Sequence, residues 1–561
     1  MSEPPPQLVD PGIAIRRRFA PHRRRLAVGA LLPAGAAVAR WAHDVLAWLD
    51  AEPAVDLSLL REGGAARDGR RRAAGGAPAA RLIEWLRARG SGGVDPFAPG
   101  ALAGHFAARA TELPGGGAPG TLSPATADAV RARRLDVLVW LGEDPLSGDC
   151  AGLARLGEWA FRFGDPGRAL VRPFYWREIA AGEPVSVIAL QRYTVDFPRG
   201  ETIAEDAVAT KPGWRFVENA VEPAALAGPL LVRALLDAAA DEERFVARAG
   251  PAAPARAAAP RAPSLLAAAR VLAGRARHSG AARVVGHAES ARQDWFVAMR
   301  RRAPEAAAAP PRREEMRAVP MPAGVQYADP FLWEADGRRW LFMEKIPAYG
   351  EKAHLVCLEV RDDLAFGEPG IVLEKPYHLS YPCVLRHEGT HYMIPESGDD
   401  GTVQLYRATR FPFEWRREAV LCEGLPLRDT TPFLHEAVWY FFTTLHERGA
   451  ETFLFHADRL DGPWRYHPAN PICADTRRAR GAGALFRRGA SLIRPSQDCA
   501  VRYGYAVVLN EVTRLTPTEY AERPIETILP DWWPNLMGTH TINRDGAFEV
   551  LDGSLAMGRR R

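Results

Sequence analysis

The sequence predicts an α/β, Rossmann-like domain followed by an all-β five-bladed propeller, and three observations carry that prediction. Between residues 25 and 248 short apolar runs alternate with amphipathic stretches, the pattern of a parallel or mixed sheet covered by helices. Between 320 and 550 a hairpin-centred unit recurs about every 50 residues, the spacing of four-stranded blades. From 249 to 319 the Ala/Pro/Arg segments AGPAAPARAAAPRAP and APEAAAAPPRREE flank a helical stretch from about Leu265 to Arg300 and read as a linker.

The bulk properties set limits. With 47% apolar and 25% charged residues the chain is an ordinary folded protein. Its net charge of +4, from 72 basic and 68 acidic side chains, argues against a nucleic-acid partner. Six cysteines without a C-x-x-C pair support neither a zinc site nor a disulfide framework. No signal core follows the first arginines, and no stretch reaches the ~18 apolar residues of a membrane span. The expected location is cytoplasmic, without a transmembrane segment.

In order along the chain, residues 1–24 read as a disordered basic tail, and the cluster Arg16, Arg17, Arg18, Arg23, Arg24 and Arg25 runs to its end and one residue beyond. RLAVGALLP is a buried strand, and AAVARWAHDVLAWLDAE a helix with Val38, Trp41, Val45 and Trp48 on one face. LDVLVWLG is a second strand, Leu153–Trp159 a helix-like segment and VSVIALQRYT a further strand. In the second half five segments share a short opening motif, an apolar strand, a polar or Gly turn and an aromatic or β-branched strand. They begin at Asp329, Tyr381, Thr431, Arg494 and His540. Their prolines Pro330, Pro382, Pro432 and Pro495 lie 52, 50 and 63 residues apart. The competing reading is an irregular β-sandwich with coincident turns. Residues 551–561 are a short tail.

The ordered set ADPFLW with WLFME, SYPCV with YMIPES, DTTPFL, RPSQD with YG, and GTHTIN resembles the five-bladed domain at the N-terminus of glucosamine inositolphosphorylceramide transferases. More distantly it resembles glycoside hydrolase family 43 propellers. The resemblance covers residues 320–550 and implies a central funnel that binds a sugar, glycan or glycolipid.

Sugar chemistry uses paired carboxylates across the glycosidic bond. Asp329 and Asp429 stand at corresponding blade starts, and Glu344, Glu396 and Glu511 at the ends of second strands. Asp329, Asp429, Glu396 and Glu511 are the catalytic candidates. Glu344, Arg494, Gln497, Asp498 and His540 would bind hydroxyls or phosphate, and Tyr327, Trp333 and Tyr381 would stack on sugar faces. Each also has a plain structural reading: an Asp before Pro caps its own turn, and a strand-end Glu pairs with Arg. His540 could instead be a metal ligand, but without a second histidine in register that is the weaker option, and no metal is expected. The family 43 resemblance implies Asp329 as base, Asp429 as the orienting residue and a later Glu, either Glu396 or Glu511, as acid.

In the first half LDVLVWLG, GEWAFRFGD and RPFYWREIAAGEPVSVIALQRYT resemble the formyltransferase fold of methionyl-tRNA formyltransferases, over about residues 25–235. Folate is the cofactor that this resemblance implies. The family's Asn-x-His is absent from Trp159–Phe163, and Pro198 stands in PRGET where the family has an Asp, with Glu201 the acid that remains. Four functions follow as expectations. The first is glycosyl or related group transfer in glycan or glycolipid biosynthesis. The others are formyl transfer to an amino sugar, family-43-like hydrolysis, and non-catalytic carbohydrate binding.

Overall fold

The structure is a computed structural model. It describes residues 10–35, 37–63, 95–115, 121–142, 152–168, 174–195, 200–211, 216–248, 250–251, 293–302, 311–347, 351–445 and 451–556. It divides into two compact units, Met1–Ala282 and Arg283–Arg561.

Unit 1 is built on a mixed eight-stranded sheet. Its strands are β1 (Leu26–Leu32), β2 (Val55–Glu62), β3 (Thr111–Leu113), β4 (Val137–Trp140), β5 (Glu158–Phe163), β6 (Val185–Tyr193), β7 (Glu201–Ala209) and β8 (Gly250–Pro251), in the order β8-β7-β6-β5-β4-β1-β2-β3. β1 to β5 run parallel, and β6, β7 and β8 pair antiparallel. Central β1 is apolar throughout because both faces are covered. Val28 and Ala30 face the helices Arg40–Asp50 and Phe216–Ala240, whereas Leu31 meets Val130 and Leu138 on the other side.

Four expectations for this half change. The basic tail is part of unit 1 from residue 10 onward. Asp10 caps a helix over Pro11–Phe19 that buries Ile13 and Ile15, and Arg16 pairs with Asp237 at 3.0 Å. Arg17 pairs with Glu52, and Arg24 with Asp136 and Glu242. The helix expected at Leu153–Trp159 is a turn leading into β5, whose residues are buried on both faces, as a central strand requires. The expectation of no span-length apolar segment fails at Val217–Ala240. That helix has the length and hydropathy of a membrane span, and 83% of its apolar window is buried inside the structure. The identity of this half with a formyltransferase has no support beyond the mixed sheet and its helices.

Glu158 opens β5 with 2% exposure; Oε1 accepts the Leu153 N–H at 2.8 Å and Oε2 has no hydrogen-bond partner among the described residues. Burial pushes its carboxyl up to about 7 from 4.5. A group that holds its proton more tightly when folded contributes stability that is lost as pH rises through 4.5 to 7. Glu158→Gln should therefore flatten the pH dependence of unit 1, with the largest gain over the parent at pH 8. Urea unfolding of the full chain at pH 5 and 8, followed by hydrogen exchange in peptides of β4 and β5, measures this. Equal pH slopes in parent and variant would refute it.

Unit 2 is a five-bladed propeller. Blade one is Gln326–Ala335, Arg338–Ile346, His354–Val360 and Gly370–Leu373; blade two is Ser380–His387, Thr390–Ser397, Thr402–Arg410 and Glu414–Glu423. Blade three is Leu427–His435, Val438–Leu445, Glu451–Ala457 and Arg465–Tyr466. Blade four has an inner strand in two pieces, Arg480–Gly481 and Phe486–Arg488, then Ser491–Asp498, Ala506–Leu515 and Tyr520–Ile528. Blade five joins the two ends of the unit. Phe548–Ala556, which hairpins with Ile542–Asp545, pairs along its length with Gln293–Arg301. The ring is thus closed by hydrogen bonds between segments far apart in sequence.

The closing strand lies inside the predicted linker, so residues 293–301 are strand rather than helix; 252–292 lie outside the described residues. The final strand reaches Ala556, inside the predicted tail.

Blade four corrects the repeat. The segment at Arg494 is its second strand, so a frame set by Pro495 runs one strand late. The true inner strand is RGAGALFRR, whose glycines mark where backbones crowd the axis. At Gly483, with φ at +122°, a Cβ would lie 2.0 Å from the Ile542 carbonyl oxygen.

Candidate functional site in the propeller funnel

Three blades begin with the same device. In blades one, two and three the inner strand carries an irregularity in register, between Ala328 and Phe331, Ser380 and Cys383, and Arg428 and Thr431. The residue turned out of the ladder in each is Asp329, Tyr381 or Asp429, with φ at 48°, 47° and 50°. A side chain in the left-handed region costs about 1–2 kcal/mol. Three such residues in register persist because their surroundings hold them, and bulges of this kind re-aim side chains at functional sites.

What holds them is a chain of polar contacts between neighbouring blades. The Asp329 carboxylate accepts the Thr541 hydroxyl of blade five at 2.7 Å and the Tyr381 N–H of blade two at 3.2 Å. The Asp329 N–H donates to Asp552 at 3.2 Å. Asp552 also accepts the His540 N–H at 2.8 Å and lies 2.5 Å from His540 Nδ1, while His540 Nε2 is 3.8 Å from Asp329. Glu344 meets His378 at 3.1 Å, and Glu396 is clasped by Arg428 with Arg480 3.7 Å away. Arg480 donates to Asp429 at 2.6 Å. The Tyr381 hydroxyl reaches Thr431 at 2.9 Å and accepts the Gly483 N–H at 2.8 Å, linking blades two, three and four.

Burial sets the protonation of this cluster. It lifts the Asp329 carboxyl to about 7, opposed by the His540 cation and reinforced by Glu344, Asp429 and Asp552. It lifts Asp429 to about 6 against the pull of Arg480. For Glu396 burial is outweighed by Arg480 and Arg428, which hold it below its ordinary value. Burial also opposes the His540 charge, but Asp552 and then Asp329 outweigh it and raise the imidazole to about 9. Asp329, His540 and Asp552 each offer a ligand atom within 4.8 Å of the others, the geometry of a possible cation site.

The funnel gathers Asp329, Glu344, Tyr381, Glu396, Asp429, Gln497 and His540 from the predicted residues. Gln497 faces Arg480 across the ladder, as Glu344 faces Ala328 and Glu396 faces Ser380. Its amide donates to the Gly481 carbonyl at 2.8 Å.

Six predicted residues take other roles. Glu511 bonds Ser491 and Arg523 away from the axis, because the blade-four frame was one strand late. For the same reason Arg494 points to the outer strand, where Glu522 takes its guanidinium at 2.7 Å. Asp498 caps its own turn through the Ala500 N–H at 2.8 Å. Tyr327 is fully buried among Val297, Leu332 and Leu341, and Trp333 sits at the far hairpin opposite Trp340. Tyr381, also fully buried, is a strut rather than a stacking face.

Sequence reasoning missed Arg428, Arg480, His378, Asp552 and Thr541. Arg428 and Thr541 adjoin motif residues and were within reach of a register argument. Arg480 was hidden by the misplaced blade-four strand.

Residues 316–531 match the family described as glucosamine inositolphosphorylceramide transferase 1, N-terminal. A glucosamine inositolphosphorylceramide transferase 1 of Oryza sativa subsp. japonica is 37% identical over 206 residues, 35% of this chain and 28% of the relative. That of Arabidopsis thaliana is 32% identical over 203 residues, 35% of this chain and 26% of the relative. The chain therefore spans about a quarter of the length of these curated relatives. Among solved structures, the family 117 glycoside hydrolase Zg3597 of Zobellia galactanivorans aligns with a TM-score of 0.32 and 11% identity, over 49% of this chain and 93% of that one. An exo-1,5-alpha-L-arabinanase from a bovine ruminal metagenomic library aligns at 0.30 and 11%, over 37% and 86%. Over most of its propeller, then, this chain is similar in sequence to the N-terminal part of glucosamine inositolphosphorylceramide transferases.

Proposed function

We propose that the funnel binds a sugar or sugar-phosphate of a glycan or glycolipid and supports glycosyl or related group transfer. The observation that carries this reading is the in-register turning of Asp329 and Asp429 out of their inner strands, where burial raises the two carboxyls to about 7 and about 6. A carboxyl near the working pH is suited to take or return a proton from a sugar hydroxyl. The similarity of this region to transferases that act in glycolipid synthesis, by their name, supports it further.

Hydrolysis in the manner of family 43 fares worse. It needs a second carboxyl that gives a proton. Of the two candidates, Glu396 is held ionised by Arg428 and Arg480, and Glu511 lies away from the funnel. The blade-four position in register is the amide Gln497. Formyl transfer has less support still. β5 sends Trp159, Phe161 and Phe163 into the apolar core and carries no Asn or His, so these residues do not fit a folate reaction.

The test is calorimetric titration of the full chain with glucose, galactose, arabinose, glucosamine, N-acetylglucosamine and myo-inositol phosphate. At least one should bind saturably, and Asp329→Asn should weaken it about tenfold or more, which is ~1.4 kcal/mol. Binding unchanged by Asp329→Asn, or no binding at all, would overturn the reading.

A further inference from the structure

The three aromatics expected to stack on sugar are buried or remote, which leaves the funnel without an aromatic face among the predicted residues. Two large aromatics are more than a third exposed among the described residues, Phe413 at 39% and Tyr503 at 42%. Phe413 packs against Trp340 and close to Gly370, from the turn between the two outer strands of blade two. Tyr503 instead meets the funnel. The Arg480 guanidinium lies over its ring at 4.9 Å, and the His540 ring stands edge-on at 5.5 Å. Burial of the hydroxyl, with Arg480 opposing and Asp329 and Asp429 adding, keeps the phenol un-ionised. The residue is thus partly in solvent while its ring lies against Arg480, His540 and Trp295.

The loop that carries it, between Asp498 and Ala506, is held in place. Gly504 follows Tyr503 with φ at +64°, and a Cβ there would lie 2.9 Å from both His540 Cβ and Trp295 Cη2. His540 and Trp295 themselves stack at 4.0 Å, nearly parallel at 18°. The Tyr505 carbonyl accepts the Thr539 N–H at 3.3 Å. The aromatic is therefore pre-positioned rather than recruited, which lowers the ordering cost of binding.

We propose that Tyr503 is the sugar-contacting platform of the funnel. It would take the C–H-rich face of a pyranose or furanose ring against its exposed surface while the ring's hydroxyls reach toward Asp329 and Asp429. The apolar body and polar tip of tyrosine suit such a boundary. The inference rests on the funnel being a sugar site and assigns the residue that orients the ring within it.

The test uses the same titrations on the full chain, with the best-binding sugar of the panel. Tyr503→Ala should lose about tenfold or more in affinity, ~1.4 kcal/mol, and Tyr503→Phe, which keeps the ring, should recover most of it. Hydrogen exchange in peptides spanning 491–515 and 536–556 should match the parent in both variants, showing the blades intact. If Tyr503→Ala binds like the parent while Asp329→Asn does not, the platform is wrong and the funnel reading survives. If the two tyrosine variants lose affinity equally, the hydroxyl and not the ring makes the contact, which also overturns the proposal. Failure of the parent to bind any sugar overturns both readings.

Discussion

Arg480→Met should destabilise unit 2 by about 3–5 kcal/mol, the cost of leaving buried charge uncompensated. The guanidinium is 9% exposed, donates to Asp429 at 2.6 Å and lies 3.7 Å from Glu396. Both carboxylates are themselves buried, at 3% and 5% exposure. Glu396 retains Arg428 when Arg480 is removed, whereas Asp429 loses the guanidinium that donates to it. The deficit should shrink on acidification. Asp429 already titrates up at about 6, and without Arg480 its carboxyl rises further. Such a group keeps its proton in the fold, so the variant is disfavoured most above that range and recovers as pH falls below it. Urea unfolding of the full chain at pH 8 and pH 5, with hydrogen exchange in peptides spanning 427–445 and 480–498, reads both effects. A deficit under 1 kcal/mol at pH 8 would mean that water, not Arg480, compensates Asp429.

The propeller was legible because its hairpins repeat in a fixed order, and blades one to three kept both the order and the bulge. Asp329, Asp429, Glu344 and Glu396 were found on that ground. Blade four was misread for a physical reason. Where inner strands converge, Asp429 and Ile542 occupy the space that side chains would need, so the strand keeps Gly481 and Gly483 and loses the apolar signal. The frame then settled on the richer second strand and drew Arg494 and Glu511 into the funnel.

The closing strand Gln293–Arg301 was illegible for another reason. Its partner Phe548–Ala556 is far along the chain, and nothing local marks the pairing. With it went Trp295, the ring beneath His540. In unit 1 the strand–helix alternation and the helix Arg40–Asp50 were readable, but the apparent helix at Leu153–Trp159 is the turn that leads into a strand buried on both faces. Prolines proved weaker markers than bulges. Pro330 and Pro382 directly follow the turned-out residue, whereas Pro432 lies three residues beyond Asp429.

Unit 2 should also lose stability as pH rises from about 6.5 to 9, and His540 should account for most of the loss. The imidazole is 3% exposed and is lifted from 6.5 to about 9 by Asp552, 2.5 Å from Nδ1, and by Asp329. A histidine whose folded value exceeds its unfolded one contributes stability that is complete below the unfolded value and vanishes as pH passes the folded one. A rise of that size corresponds to about 3 kcal/mol at most. Asp329, raised to about 7, pulls in the same direction at lower pH, because it too binds its proton more tightly in the fold. His540→Phe should lower stability at pH 6.5, where Asp552 and Asp329 lose their cation, and flatten the slope between 6.5 and 9.5. Asp552→Asn should instead leave a histidine that titrates nearer its ordinary value. The exchange rate of the imidazole C2 proton, followed by mass spectrometry across this pH range in the full chain, reports the titration of His540 directly. Its midpoint should fall near 9 in the parent and drop in Asp552→Asn. A parent midpoint near 6.5 would mean that His540 is neutral at physiological pH, and the Asp329 carboxyl would then lack the opposing charge that keeps it from rising further.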